Sequence, residues 1–234
     1  MILGVAAVVG LLLLIVEFGA NYKYQNNSDS GSDIALYQGL QDETLAGNAK
    51  SQTDEPDVNA ADNSYETVVL AGGCFWCVEA DMEKAPGVIA VVSGYSGGSS
   101  ENPLYSNYAQ GGHREVVEVI YDPSQTSYES LVEYLIKHID PTDPNGSFVD
   151  RGVQYSPAIY YQTEAQKQTA IDVIAKIEEL NVYDAPIAVP VLPEAKFYPA
   201  EDYHQDFYKK SVVRYQAYRL GSGRDAFVKK YWDN

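Results

Sequence analysis

The chain is 234 residues long, enough for one substantial domain with appendages and too short for several large ones. Hydrophobic residues make up 45% and charged residues 21%, which excludes wholesale disorder, and 16 Lys+Arg against 33 Asp+Glu leave a formal charge of −17. That acidity argues against a nucleic-acid partner, and 2 cysteines exclude both a disulfide scaffold and a four-cysteine zinc site.

Three segments follow one another. Residues Met1 to Val16 carry no charged side chain and, with Glu17 to Ala20, approach the roughly 20 residues that cross a bilayer as a helix. The first basic side chain is Lys23, so the positive start of a secretory signal is missing. Segment 1–20 therefore reads first as an uncleaved membrane anchor and second as a cleaved signal, with the domain outside the cytosol in either case. Segment 21–64 is rich in Ser, Asn, Gln, Asp and Gly, with eight acids against Lys23 and Lys50. It buries too little apolar surface to offset the entropy of ordering and reads as an acidic disordered tether.

The folded domain, 65–234, alternates strands and helices. Glu66–Leu70 reads as a strand broken by Ala71-Gly72-Gly73, and Cys74–Lys84 as a helix ended by Pro86-Gly87. Val88–Tyr95 and Glu115–Tyr121 read as strands, and Thr126 with Glu129 as a capping box that opens a helix through Leu131, Leu135 and His138. A Pro/Asp/Gly loop spans Asp140 to Gly152, and Ala158–Tyr161 is a strand. A second capping box, Thr163 with Gln166, opens a helix to about Leu180, and Ile187–Leu192, interrupted by Pro190, reads as an edge strand. This order predicts a single α+β domain (an α/β sandwich), a mixed β-sheet with flanking helices. The 20 tyrosines against 6 phenylalanines suit a half-buried sheet or a polar-aromatic pocket.

A strand, two glycines and then Cys74 in the first turn of a helix place a thiol among unpaired N–H groups, at the positive end of the helix dipole. There the thiolate, which is the nucleophile, is favoured. Cys77 lies three residues on, on the same side of the helix, so a disulfide is within reach; the plain alternative is two buried structural cysteines. His113, His138 and His204 show no ligand-pair spacing, and no metal is expected.

Gly72-Gly73-Cys74-Phe75-Trp76 resembles the GCFW signature of the A-type peptide methionine sulfoxide reductases. Gly94-Tyr95-Ser96-Gly97-Gly98 is similar to that family's GYxGG loop, and Gly112-His113-Arg114-Glu115 to its GHxE motif. Asp140-Pro141-Thr142, Asp150 to Tyr155 and Phe197 to Gln205 resemble its DPT, DxGTQY and FYPAEDYHQ segments, all in family order. The resemblance implies reduction of methionine S-sulfoxide, free or in proteins, to methionine. Cys74 would be the nucleophile and Glu115 a buried acid that protonates the sulfoxide oxygen. Tyr95 and Tyr155 would hydrogen-bond that oxygen, Phe75 and Trp76 would wall the methyl pocket, and Asp150 would orient the substrate. His204 and Glu201 match the motif in supporting roles.

The implied chemistry leaves Cys74 as a sulfenic acid, which a second thiol condenses to a disulfide and an external dithiol of thioredoxin type reopens, without organic cofactor or metal. Many relatives carry Gly at the position of Cys77 and resolve with cysteines near the C-terminus. This chain has none after Cys77, so Cys77 is the resolving candidate, the rival being direct reduction of the sulfenic acid by an external thiol with Cys77 filling space beside Trp76. Val153 replaces a usual Thr, and Ser156-Pro157 a usual Arg-Ser. The rival reading is an exported thioredoxin-like thiol–disulfide oxidoreductase, which accounts for CxxC at a helix start but not for Glu115 or Tyr155. An anchored, non-enzymatic peptide-binding domain is a third.

Overall fold

In the computed structural model, which describes residues 65–232, the β-branched opening run forms β1 (Glu66–Ala71). The segments 1–20 and 21–64, expected as anchor and tether, lie outside the described residues. β1 pairs antiparallel with β3 (Arg114–Tyr121), setting Val68 against Val119 and Leu70 against Val117. The other edge of β3 takes β2 (Val88–Ser96), also antiparallel, with an irregularity between Val88 and Ala90. Every residue from Glu115 to Tyr121 is buried, as a strand covered on both faces requires. β6 (Ala158–Tyr161) joins β1 antiparallel, β7 (Val191–Pro193) runs parallel to β6, and β8 (Tyr198–Pro199) closes on β2. The order β7-β6-β1-β3-β2-β8 is the mixed sheet expected of the sequence.

Period-2 alternation divides the apolar residues between the two faces. Val68, Leu70, Val117 and Val119 form the main core with α1 (Phe75–Met82), α2 (Tyr128–His138) and α3 (Glu164–Glu179) through Val78, Met82, Leu131, Leu135, Val173 and Ile177. Val69, Ala71, Val116, Ala158 and Tyr160 face the other way, under Leu192, Ala195 and Phe197.

Several boundaries differ from expectation. The first helix begins at Phe75, with Cys74 as its N-cap, because Cys74 keeps an extended ψ of 119°. The cap of α2 is Ser127 rather than Thr126: the Ser127 hydroxyl accepts from Ser130 N at 3.2 Å. Thr163 does cap α3, accepting from Gln166 N at 3.1 Å. The loop after α2 holds a small hairpin, β4 (Gly146–Ser147) with β5 (Asp150–Arg151). The edge strand starts only after Pro190, which has no N–H for a ladder.

Three C-terminal helices, α4 (Phe207–Lys210), α5 (Val212–Ser222) and α6 (Arg224–Trp232), have no counterpart in the sequence reading. On α5 the pattern is inverted: Val213 and Leu220 are 82% and 81% exposed, while Arg224, at the start of α6, is 2% exposed. Its guanidinium donates to the carbonyls of Gly72 at 2.9 Å and His138 at 3.0 Å, polar contacts that apolar periodicity does not register, and they act beside the apolar contacts of Phe207 on α4 and Trp232 on α6. Among the described residues, no helix is long and apolar enough to cross a membrane.

Gly73 holds the turn between β1 and α1 at φ +98°, and a Cβ there would meet the Ser147 Cβ at 2.4 Å and Arg224 Nη2 at 3.1 Å. Gly73→Ala therefore combines left-handed strain with displacement of the β4 hairpin. It should lower the unfolding free energy by about 2 kcal/mol or more, read from the urea midpoint at unchanged m.

Candidate active site

The site is assembled where α1 leaves the sheet. A helix start leaves N–H groups without partners, and a side chain at the N-cap ordinarily accepts one of them. The Cys74 side chain makes no such bond. The Phe75 N–H instead donates to Glu115 Oε2 at 2.9 Å, reaching across to β3. The second oxygen, Glu115 Oε1, accepts from the Tyr108 hydroxyl at 2.9 Å. Glu115 is 2% exposed. Burial pushes its carboxyl up to about 8, against the pull of the two donors, and Asp150 and Cys77 push it the same way as burial. At neutral pH it is largely the protonated acid that the sequence implied, beside the thiols.

Cys74 and Cys77 are both buried and both free thiols. Cys77 N donates to the Cys74 carbonyl at 3.0 Å, so the two occupy one turn of backbone. The expected thiolate at Cys74 is corrected by this environment. Burial first, then the bond to Cys77 and the Glu115 carboxyl, raise the Cys74 thiol well above its ordinary value. Cys77 is lowered because Cys74 donates to it and because the Arg224 and Arg219 guanidiniums lie nearby. The dipole of a short helix does not outweigh desolvation. The pair holds its first thiolate on Cys77, with Cys74 as the neighbouring S–H.

The two expected phenols are differently engaged. Tyr95, on β2, is fully buried and donates to Glu201 Oε2 at 2.9 Å. Its single proton must leave that partner before it can bond a substrate oxygen. Glu201 Oε1 accepts from Tyr105 N at 2.9 Å, so Glu201 fastens the 104–112 loop over the site. Tyr155 lies on the one-turn helix Val153–Tyr155, half-buried, with its hydroxyl beside that of Tyr108. The departure at Ser156 has a structural use. Its hydroxyl donates to the Val153 carbonyl at 2.7 Å and accepts from Arg114 Nε at 3.0 Å, bracing this turn against β3.

The aromatic wall is present. Phe75 is buried, 4.9 Å ring to ring from His204 and 5.8 Å from Tyr95. Trp76 is half-buried, stacks on Phe207 at 3.8 Å and donates its Nε1 to His204 Nδ1 at 3.1 Å. His204 therefore carries its proton on Nε2, and burial drops it to about 4, so it is neutral. Asp150 is joined to the site by accepting from the Tyr218 hydroxyl on α5. The Tyr218 hydroxyl lies close enough to Cys74 for each to influence the other's proton. His113 bonds Gly98 N through Nδ1 at 3.2 Å and the Ser100 carbonyl through Nε2 at 2.9 Å, which organises the loop that carries Tyr108.

All the sequence-predicted residues thus converge, and four more join them: Tyr108, Tyr218, Arg219 and Arg224. The tyrosine excess was the only sequence signal for the first two. For the arginines there was none, because they reach the cysteines from helices that local pattern did not reveal. Among the described residues, no group of three or more His, Cys, Asp or Glu could hold a metal ion.

Comparison with known proteins is consistent with this geometry. The sequence model of the peptide methionine sulfoxide reductase family matches residues 66–234. Peptide methionine sulfoxide reductase MsrA 2 of Rhizobium meliloti is 51% identical over 174 residues, 74% of this chain and 85% of that protein. MsrA 2 of Staphylococcus aureus strain MW2 is 46% identical over 171 residues, 72% of this chain and 97% of that protein. The chain spans half the length of the Vibrio cholerae protein MsrA/MsrB, at 46% identity over 187 residues and 79% of this chain. Among solved structures, methionine sulfoxide reductase A of Corynebacterium diphtheriae superposes with a TM-score of 0.57 at 30% identity, over 64% of this chain and 76% of that one. Mxr1 of Saccharomyces cerevisiae in reduced form gives 0.56 at 27% identity, over 62% and 85%.

The raised carboxyl of Glu115 has a stability consequence. A carboxyl with its folded value above its unfolded value contributes stability that is complete below the unfolded value, near pH 4.3. That contribution is lost as pH rises toward about 8. Relative to Glu115→Gln, the reduced protein should lose stability across about pH 5 to 8, at no more than about 1.4 kcal/mol per pH unit. Urea titrations of both proteins at several pH values read the difference, and parallel curves would contradict a buried neutral Glu115.

Proposed function

The chain belongs to the peptide methionine sulfoxide reductase family and is a thiol-dependent oxidoreductase, and from that premise we propose how its own residues reduce methionine S-sulfoxide, free or in proteins. The observation that carries this reading is the protonated, buried Glu115 tied to the helix turn that bears Cys74. The sulfoxide methyl group enters the wall of Phe75 and Trp76, and its oxygen approaches the Glu115 proton and the phenols of Tyr95 and Tyr155. Glu115 gives its proton to the oxygen as Cys74 sulfur attacks, and the Cys74 thiol proton returns to the carboxylate. The S–O bond breaks, sulfur of the substrate is reduced to the thioether, and Cys74 becomes a sulfenic acid. Asp150, held by Tyr218, orients the substrate at the mouth.

Cys77 is the resolving thiol. Its sulfur attacks the Cys74 sulfenic acid, forming a disulfide and releasing water, and an external dithiol of thioredoxin type then transfers two electrons to reopen it. Support comes from the shared helical turn, the hydrogen bond between the thiols and the two guanidiniums that favour a thiolate at Cys77. The first turn must tighten, because Cβ atoms three residues apart on a helix lie about 5–6 Å apart and a disulfide brings them to about 3.5–4.5 Å. The uncharged apolar start of the sequence supports an anchored or exported enzyme acting outside the cytosol on oxidised proteins. A thioredoxin-like oxidoreductase is not favoured, since it has no use for Glu115.

An assay that offers each sulfoxide epimer separately, free and in protein, tests the reading, and activity confined to the R epimer would overturn it. In the same assay Cys74→Ser should yield no methionine above background while keeping its folded spectrum, because a hydroxyl oxygen cannot take up the sulfoxide oxygen as a sulfenic acid. Cys77→Ser should release one methionine per enzyme and then stop with a thioredoxin-type reductant, leaving Cys74 one oxygen heavier by mass. Full steady-state turnover by that variant would remove Cys77 from the resolving role.

A further inference from the structure

Tyr108 belongs to none of the segments that resemble the family, yet its hydroxyl occupies one of the two oxygens of the buried acid. We propose that Tyr108 is a positioning residue that makes Glu115 a competent proton donor, by fixing the transferable proton on Oε1 and stabilising the carboxylate left when it departs. The inference rests on the reading of Glu115 as the acid.

The geometry assigns a different duty to each oxygen. Oε2 accepts from the Phe75 amide, a permanent donor, so in the neutral acid Oε2 is the carbonyl oxygen and Oε1 carries the proton. Oε1 faces the Tyr108 hydroxyl at 2.9 Å, and a phenol can accept or donate. While Glu115 is protonated, its O–H donates to Tyr108, whose own proton turns to Tyr155. Once the proton has gone to the sulfoxide, Tyr108 turns back and donates to the carboxylate. The favourable bond to a charged acceptor thus exists only after proton transfer has begun, which lowers the barrier rather than the ground state.

The ring is held for this duty. Tyr108 is 4% exposed and stacks on Tyr95 at 4.7 Å. Its N–H donates to the Leu104 carbonyl at 2.8 Å, and its own carbonyl accepts from His113 N at 3.1 Å. The charges around Glu115 all oppose ionisation: Asp150 on β5, and Cys77 on α1 with Cys74 at its cap. Three further phenols, Tyr95, Tyr105 and Tyr155, also lie within its field. The Phe75 amide and the Tyr108 hydroxyl are the two groups that favour the carboxylate.

The test is Tyr108→Phe, which removes one oxygen and keeps the ring stack, measured by single-turnover methionine formation against pH. The plateau rate should fall about 10- to 100-fold, the worth of a hydrogen bond to a charged group. The alkaline limb, which lies near pH 8 in the parent if Glu115 governs it, should move to higher pH. Loosened packing would instead admit water and move the limb down, and that result, or an unchanged rate and limb, would overturn the inference. 3-Fluorotyrosine at 108, a stronger donor in the same shape, should move the limb to lower pH. Infrared titration of the Glu115 carboxyl band, identified by its absence in Glu115→Gln, reads the same shifts without turnover. If Glu115→Gln keeps the parent rate, the acid assignment fails. If that variant is slow while Tyr108→Phe matches the parent in both readouts, only the present inference fails.

Discussion

The hydrogen bond from the Phe75 amide to Glu115 joins two things that the chain keeps 40 residues apart. It satisfies the donor that the helix start leaves open in place of a side-chain cap, and it pins the carboxyl of β3 against the turn that carries both thiols. Among the described residues the Phe75 amide is paired with Glu115 Oε2, while the other oxygen pairs with Tyr108. A buried amide left unpaired costs about 1–3 kcal/mol, so the bond adds to the apolar contacts that hold the helix on the sheet. The turn that bears Cys74 and the Glu115 carboxyl are therefore held together.

Around that bond the molecule is arranged to hold protons rather than charges. Burial raises Glu115 to about 8, raises Cys74, and drops His204 to about 4, so all three are neutral near pH 7. Within the site a thiolate is favoured only at Cys77, and the other charges lie around it. Asp150 lies at the mouth, and Arg219 and Arg224 reach in from α5 and α6. A neutral interior suits a reaction in which a thiol and a neutral sulfoxide exchange oxygen with no net change of charge. The guanidiniums bear instead on Cys77, where they favour a thiolate.

The C-terminal helices extend the same division of labour. Arg224 is spent on backbone carbonyls at the Gly72 turn and at the end of α2, tying the turn that bears Cys74 to α6. Arg219 bridges Asp81 at 2.8 Å and Asp225 at 2.7 Å, and it donates to the Cys77 carbonyl at 3.5 Å. The first of these pairs is well shielded and the second has an exposed acid, so Asp81 carries most of the anchoring.

The sequence by itself determined β1, β2, β3, β6 and β7, the helices α1 to α3 and the position of Cys74 at a helix start, because apolar periodicity, turn residues and caps act over a few residues; the two-residue strands β4, β5 and β8 are too short to carry such a signal. It also determined Glu115, Tyr155 and the aromatic pair Phe75-Trp76, through motifs that stand in order along the chain. Tertiary structure decided what is set by neighbours distant in sequence. Desolvation reversed the thiolate expected at Cys74, an effect of surroundings that a helix dipole read from local order omits. The Tyr95 hydroxyl went to Glu201, Tyr108 took an oxygen of Glu115, Tyr218 and Arg219 arrived on α5, whose Val213 and Leu220 face outward, and Arg224 arrived at the start of α6. Polar docking has no period, and a proton's place depends on burial, so neither is written in the spacing of residues.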